Sequence, residues 1–542
     1  MRTSRGISLG NVPAIIAFAA VSSCAAPEPQ AEFAAQPEVV REVGGVDTAY
    51  GKLVGEIVEN EGYAAFRGIP FAAPPVGDLR WAPPAAPASW EGERDASEFG
   101  PSCAQTTPKP GDWNYDPDVE YSEDCLYLNV YAPLGALDDA AEPLPVMFWI
   151  YGGGFSRGGA SQAVYRDPTE YTDRGVILVI PNYRLGALGY LAHPDFTAKS
   201  GNGMSGNYGT MDQIAALEWV QENIAEFGGD PANVTLFGES AGAISNNVLM
   251  VTPSAQALFD KAIMQSGGIW GLTPYMKSLS EAEAWGKSFL EGHGAKTLEE
   301  ARALDTATLA ELPWEYAYSL QPIADGVVTP ATTGDAFLRG EQSAQPIIIG
   351  WTRDEAGRMH SGIETEEAAR DWFNKEFGND GPGLFEEYFE VHGDYTAAVV
   401  AAASNGIGQG SLVEAALHLE KTPNVFAFRF DQAQPTEDGQ KYGAVHGADV
   451  PYTFAHFFDG ADWRESDKAL STALIDYWVS FAKTGNPNLE GHPEWPAFNL
   501  ESPTVMSFGD PVQPVSVENY DLFMRTMKTE NFSRDDALKA EQ

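Results

Sequence analysis

The chain has 542 residues, with 77 Asp and Glu against 33 Lys and Arg, giving a formal net charge of −44 at pH 7. Hydrophobic residues at 44% and aromatics at 11% suffice for a sizeable core and are too many for a disordered acidic chain. So acidic a surface repels a phosphate backbone, which sets nucleic acid aside as a partner, and no fixed-period repeat points to a solenoid or propeller. The acids are spread along the whole sequence, as on a solvated surface that favours solubility or salt tolerance. Electrostatic steering of a cationic substrate is the sharper reading of the same charge.

At the N-terminus, residues 1–23 carry Arg2 and Arg5 and then an apolar stretch from Val12 to Val21. That is the pattern of a signal peptide, with an apolar region too short to span a bilayer. No later stretch reaches about 18 consecutive apolar residues, so no transmembrane helix is expected. Val21-Ser22-Ser23-Cys24-Ala25 resembles a bacterial lipobox, in which Cys24 becomes the lipidated first residue; cleavage after Ala26 is the alternative. Residues 24–45, rich in Ala, Pro and Glu, read as a flexible tether. The expected location is periplasmic or on the outer membrane through a lipid anchor, with free secretion as the alternative. With Cys24 lipidated, Cys103 and Cys125 are left as a pair in an oxidising compartment.

Residues 46–530 are expected to form the catalytic domain, followed by a polar tail over 531–542. Pro145 to Tyr151 reads as a buried strand running into Gly152-Gly153-Gly154-Phe155. Glycines let a backbone approach a ligand closely, so this loop suits N–H donors aimed at an oxyanion. A phosphate loop is disfavoured, because no Gly-Lys-Ser/Thr follows, and no G-x-G-x-x-G opens a helix here. Ile214, Leu217, Val220, Ile224 and Phe227 recur at helical spacing and end at Gly228-Gly229, as in the crossover helix of a βαβ unit. Asn233 to Phe237 then reads as a short buried strand, and Ala243 to Val251 as a helix stopped by Pro253. Between them stands Gly238-Glu239-Ser240-Ala241-Gly242. Strand, tight turn and helix form the setting a G-x-S-x-G nucleophile requires, with Ala241 supplying a further N–H. Ser240 is the candidate nucleophile.

A Ser hydroxyl needs a general base, and the base needs an orienting carboxylate. Where a serine stands on such a strand–turn–helix elbow, the chain order is nucleophile, acid, base. Pro346 to Gly350 reads as a strand followed by Trp351-Thr352-Arg353-Asp354-Glu355, so Asp354 and Glu355 both leave a strand end; the loser is expected to pair with Arg353 or Arg358. Val425 to Phe430 reads as a later strand, and His446 follows in the glycine-flanked Tyr442–Asp449 loop. His193 precedes Ser240 and is out of order, whereas His456 and His492 satisfy the order too.

Taken together these stretches resemble the type-B carboxylesterase and cholinesterase-like family of α/β-hydrolases. Phe66-Arg67-Gly68-Ile69-Pro70-Phe71-Ala72, Ser122 to Val130, Asn182-Tyr183-Arg184-Leu185-Gly186, Phe227 to Pro231 and Pro322 to Gly326 carry the likeness besides the motifs above. It spans nearly the whole chain from about residue 46. It implies a mostly parallel sheet flanked by helices, with helical and loop insertions forming a substrate gorge. It also implies carboxylic ester hydrolysis of a small-molecule substrate through an acyl-enzyme, without metal or cofactor. By the same resemblance Ser240, Glu355 and His446 form the triad, the N–H groups of Gly153, Gly154 and Ala241 form the oxyanion hole, and Cys103 pairs with Cys125. Many members have His before the glycine run, where this chain has Tyr151, as in the cholinesterase branch. Trp113, inside the Cys103–Cys125 loop, is similar to the aromatic by which cholinesterases bind quaternary ammonium groups, with a longer spacing to the second Cys; a tryptophan packing on the rim is the plainer alternative. Trp113 and Glu239 are the candidate substrate contacts. Non-catalytic adhesion domains of the same family are the reading from a different class, and they lose the triad.

Overall fold

Apolar runs that the sequence writes without interruption lie at the middle of one eleven-stranded sheet. The computed structural model describes residues 45–109, 115–138, 140–268, 276–313, 316, 319–517 and 519–525. The chain divides into Met1–Glu38 and Val39–Gln542, and everything below concerns the second unit. The expected signal peptide, Cys24, nearly all of the tether, Trp113 and the C-terminal tail lie outside the described residues.

In chain order the strands of the large sheet are β1 (Glu56–Val58), β2 (Tyr63–Pro70), β3 (Tyr127–Pro133), β4 (Leu144–Ile150), β5 (Ile177–Pro181), β6 (Gly229–Glu239), β7 (Lys261–Gln265), β8 (Ile347–Thr352), β9 (Val425–Phe430), β10 (Thr504–Phe508) and β11 (Gln513–Ser516). In space they run β11-β10-β9-β8-β7-β6-β4-β5-β3-β2-β1. Strands β4 to β10 are parallel to one another. Antiparallel strands flank them, β11 on one edge and β3, β2 and β1 on the other. Parallel strands are covered by helices on both faces, which explains why Val146 to Ile150 and Ile347 to Ile349 alternate in nothing and are wholly buried. Trp149 of β4 packs its ring against Tyr165, Phe237 and Phe454, at centroid distances of 4.7 to 5.7 Å. Burying each such side chain contributes about 1.5–3 kcal/mol.

The crossover helix spans Tyr208–Asn223 and tightens into a 3-10 turn over Ile224–Phe227. Gly228 (φ 80°) then donates its N–H to the Ala225 carbonyl at 3.0 Å and stops the helix. Strand β6 begins at Gly229, before the expected Asn233, because Gly229 already pairs with Leu144 ahead of a register shift. From β4 the chain passes to β5 on one side and later returns to β6 on the other. The loops leaving the C-terminal ends of β4 and β6 therefore face each other at a topological switch point, the usual place for a ligand crevice.

Long insertions sit on this frame. Helices Leu279–Gly292, Leu298–Arg302 and Thr306–Ala310 lie between β7 and β8. Helices Glu366–Phe377, Gly381–His392 and Tyr395–His418 lie between β8 and β9 and bury a small core of their own around Phe373, Phe385, Tyr388 and Val399. Cys103 and Cys125 are joined as a disulfide, with an S–S distance of 2.05 Å. No helix among the described residues is long and apolar enough to cross a membrane.

Candidate active site

Ser240 stands between the end of β6 and a helix spanning Ala241–Val251, with φ 56° and ψ −122°. That conformation is rare for a residue with a Cβ and costs about 1–3 kcal/mol, which the flanking elements must supply. Backbone bonds hold it on both sides: Ser240 N–H donates to the Gln265 carbonyl at 2.8 Å, and Ile244 N–H donates to the Ser240 carbonyl at 2.9 Å. The helix begins two residues earlier than its periodicity suggests, because the turn itself initiates it. A Cβ on Gly242 would stand 1.8 Å from the Ile150 carbonyl oxygen, so only glycine lets the helix start this close to β4.

The glycine loop after β4 meets the same corner. A Cβ on Gly152 would lie 3.0 Å from the Ser240 Cβ and 2.6 Å from Glu239 Oε2. Gly153 (φ 113°) and Gly154 (φ 62°) both take positive φ, and the Gly153 carbonyl accepts the N–H groups of Ser156 and Arg157 at 3.2 and 3.1 Å, closing the loop into a turn. Ala241 is the first residue of its helix, so its N–H has no acceptor within that helix. Ahead of the loop, the buried Tyr151 ring stacks on Tyr183 at 4.6 Å, and the Tyr183 hydroxyl donates to the Tyr151 carbonyl at 2.8 Å.

His446 reaches this corner from the loop after β9. Its Nε2 lies 2.8 Å from Ser240 Oγ, and its Nδ1 lies 2.6 Å from Glu355 Oε2. Glu355 is 1% exposed, and its other oxygen accepts the Thr352 N–H at 2.9 Å. Asp354 turns away. Its Oδ2 accepts from Arg353 at 3.0 Å and from the Ala444 N–H at 2.9 Å. The loop expected over Tyr442–Asp449 is preceded by a short helix, Glu437–Tyr442. Of the other late histidines, His492 pairs with Asp476 at 3.0 Å, and His456 packs near Phe458.

Two further carboxylates crowd the imidazole. Glu239, expected as a substrate contact, is 7% exposed and puts Oε1 3.3 Å from His446 Nε2. Burial pushes its pKa up to about 8; His446 pulls the other way, and Asp449 and Glu355 add to the rise. Asp449 is fully buried and pushed up to about 6, by burial first, against the hydrogen bond from Gln265 and with Glu355 adding to the rise. Gln265 Nε2 donates to Asp449 Oδ2 at 2.8 Å, while its own carbonyl holds the Ser240 N–H. Burial works against charge on His446, but Glu355 first and Glu239 next outweigh it and push the pKa up to about 10. Nothing marked Asp449 or Gln265 as site residues in the sequence. The one available signal was position, Asp449 three residues after His446 and Gln265 opposite Glu239 in the β6–β7 register.

A hydroxyl, an imidazole and a carboxylate in a hydrogen-bonded line, beside N–H groups at a helix start, can attack a carbonyl and move the proton. The profile of the carboxylesterase family matches residues 43–530. The chain belongs to the carboxylesterase family. The esterase is 36% identical over 469 residues to the fumonisin B1 esterase of Sphingopyxis macrogoltabida, covering 82% of this chain and 83% of that one. It is 34% identical over 485 residues to the para-nitrobenzyl esterase of Bacillus subtilis, covering 84% and 93% of the two chains. A solved PNB esterase structure superposes with a TM-score of 0.75 at 30% identity, over 90% of this chain and 99% of the other. The fold is thus that of the α/β-hydrolases, and the family expected from the motifs is the one found. The esterase acts on carboxylic ester bonds of small molecules.

Proposed function

We propose that the esterase works through an acyl-enzyme formed on Ser240. His446 Nε2 takes the Ser240 proton as Oγ attacks the ester carbonyl. The N–H groups of Gly153, Gly154 and Ala241 receive the oxyanion, each such donor being worth about 3–4 kcal/mol when lost. Collapse expels the alcohol, to which His446 returns the proton. A water molecule, deprotonated by the same imidazole, then frees the acid. Glu355 orients His446 and stabilises its charged form.

The observation that carries this reading is the unbroken line Ser240 Oγ, His446, Glu355 at 2.8 and 2.6 Å, contributed by three separate loops. Ser240→Ala is expected to lower kcat on a short-chain aryl ester by about 10⁶-fold at unchanged fold. An organophosphonate should add one equivalent to Ser240, seen by intact mass. A folded protein that neither hydrolyses nor takes the label overturns the proposal in favour of a binding domain. The names of the relatives, one for fumonisin B1 and one for para-nitrobenzyl esters, support small organic esters as substrates. A panel of neutral, anionic and cationic esters then ranks acyl and alcohol groups.

We further propose that the esterase is exported and anchored through Cys24, on the strength of the N-terminal pattern alone. Metabolic labelling with an alkynyl palmitate analogue should mark the wild type and not Cys24→Ala; no label on the wild type sinks the anchor.

A further inference from the structure

The loops that hold Glu355 and His446 also wall a cavity of about 650 Å³ whose lining includes none of Ser240, Glu355 and His446. Its volume falls within the ~300–1,000 Å³ of small-molecule sites. Three cations, Arg353, Arg429 and Lys441, line it in a protein that carries 33 Lys and Arg against 77 acids. The two carboxylates on its wall are already engaged. Asp354 is bound by Arg353 and by the Ala444 N–H, and Asp394 Oδ1 caps a helix by accepting the Ala397 N–H at 2.9 Å. Asp431 takes the Nε and Nη2 edge of Arg429 at 2.6 and 3.1 Å, which leaves Nη1 without a partner among the described residues. Lys441 lies over the Tyr442 ring at 4.7 Å; of the two carboxylates that act on it electrostatically, Asp438 and Glu437, Asp438 is paired with Arg358. Trp351, Leu522 and Phe523 supply apolar surface, and Val391, 51% exposed, adds more.

Cations with spare hydrogen-bonding capacity beside apolar walls match one kind of occupant. We propose that this cavity is a second ligand site, taking an organic carboxylate on an apolar body, and that its occupant modulates turnover. The connection to the chemistry is Asp354. Its Oδ2 fastens Ala444, two residues before His446, and stands 2.1 Å from where a Cβ on Gly443 would be. A bound carboxylate competes with Asp354 for Arg353 and so alters the fastening of the loop that carries His446. Its effect on turnover rests on the acyl-enzyme reading, whereas binding of the carboxylate rests on the cavity alone.

The test uses full-length protein with the gorge blocked by a bulky phosphonate on Ser240, the extent of labelling being read by intact mass. Failed labelling is then seen apart from failed binding. Decanoate is titrated calorimetrically. The expected result is one decanoate per chain in the blocked protein, abolished by Ala401→Trp, which fills the cavity, and weakened about tenfold or more by Lys441→Glu at an exposed position. Decanol and decyltrimethylammonium should bind at least about tenfold more weakly than decanoate. In the unblocked enzyme decanoate should change kcat on a short neutral ester, and this effect should vanish in Ala401→Trp. Loss of binding on blocking, binding unchanged in both variants, or equal binding of the neutral or cationic chain overturns the proposal. Lys441→Glu keeps the test decisive where Ala401→Trp misfolds.

Discussion

Glu239 occupies a position where ionisation works against burial and in favour of His446. In the unfolded chain its carboxyl titrates near the ordinary value of 4.5, and in the fold it is pushed up to about 8. Between these values the folded protein holds a proton that the unfolded chain has lost. The destabilisation from Glu239 is therefore absent at acid pH, grows through that window and is complete above it. Glu239→Gln is expected to raise Tm at about pH 9 and to leave it unchanged at about pH 4, measured by scanning calorimetry. The same substitution removes one of the three carboxylates that hold the proton on His446. The pKa of His446 then falls, and because the base proposed above must be neutral to accept the Ser240 proton, the acid limb of kcat/KM is expected to move to lower pH. Loss of imidazolium stabilisation should lower kcat on the plateau as well. A pH–rate profile with an unmoved acid limb would count against this role. At this scale Ser240 was legible in the sequence because its signal is local, five residues with a strand before and a helix after. The position of Glu239 was not, because Glu355 and Asp449 come from loops after two other strands.

The elements owe their placement to a few close approaches. Gly242→Ala would drive a Cβ to 1.8 Å from the Ile150 carbonyl, where β4 and the helix over Ala241–Val251 meet. Neither backbone can yield without moving Ser240, so a loss of more than about 4 kcal/mol, or failure to fold, is expected by denaturant titration. Gly406 supplies the contrast. It lies inside the helix Tyr395–His418 with nothing within 4 Å of a Cβ, and Gly406→Ala should stabilise by about 0.5–1 kcal/mol in the same titration. The apolar runs of β4, β8 and β9 identified those strands, since a parallel strand is covered on both faces. Boundaries were less legible. The start of β6 at Gly229 depends on a partner in β4, and the start of the helix at Ala241 depends on the turn before it.

For the molecule as a whole, a net charge of −44 means that the folded state confines repelling carboxylates. Salt screens this repulsion over about 8–10 Å at physiological strength, so Tm should rise between low salt and about 0.5 M NaCl. A fall over that range would show that ion pairs such as Arg184–Asp212, at 2.7 Å and buried, outweigh the repulsion. The Cys103–Cys125 bond closes a loop of sequence separation 22, and in the chain-entropy picture its loss costs about 3 kcal/mol. Cys103→Ala with Cys125→Ala should lose that much by equilibrium unfolding, without change in kcat.

The sequence by itself determined the nucleophile candidate, the glycine loop and the family, because each rests on backbone geometry written into a few adjacent residues. The residues around Asp354 and Glu355 left both open until the family resemblance chose Glu355. Only the tertiary structure showed that Asp354 fastens Ala444 instead, that burial raises the pKa of Glu239 and Asp449, and that a cavity with three cations adjoins the same loops. The reason is distance along the chain. Ser240 and His446 are 206 residues apart, and His446 and Glu355 are 91 apart. Only the order of strands in the sheet brings their loops to one corner.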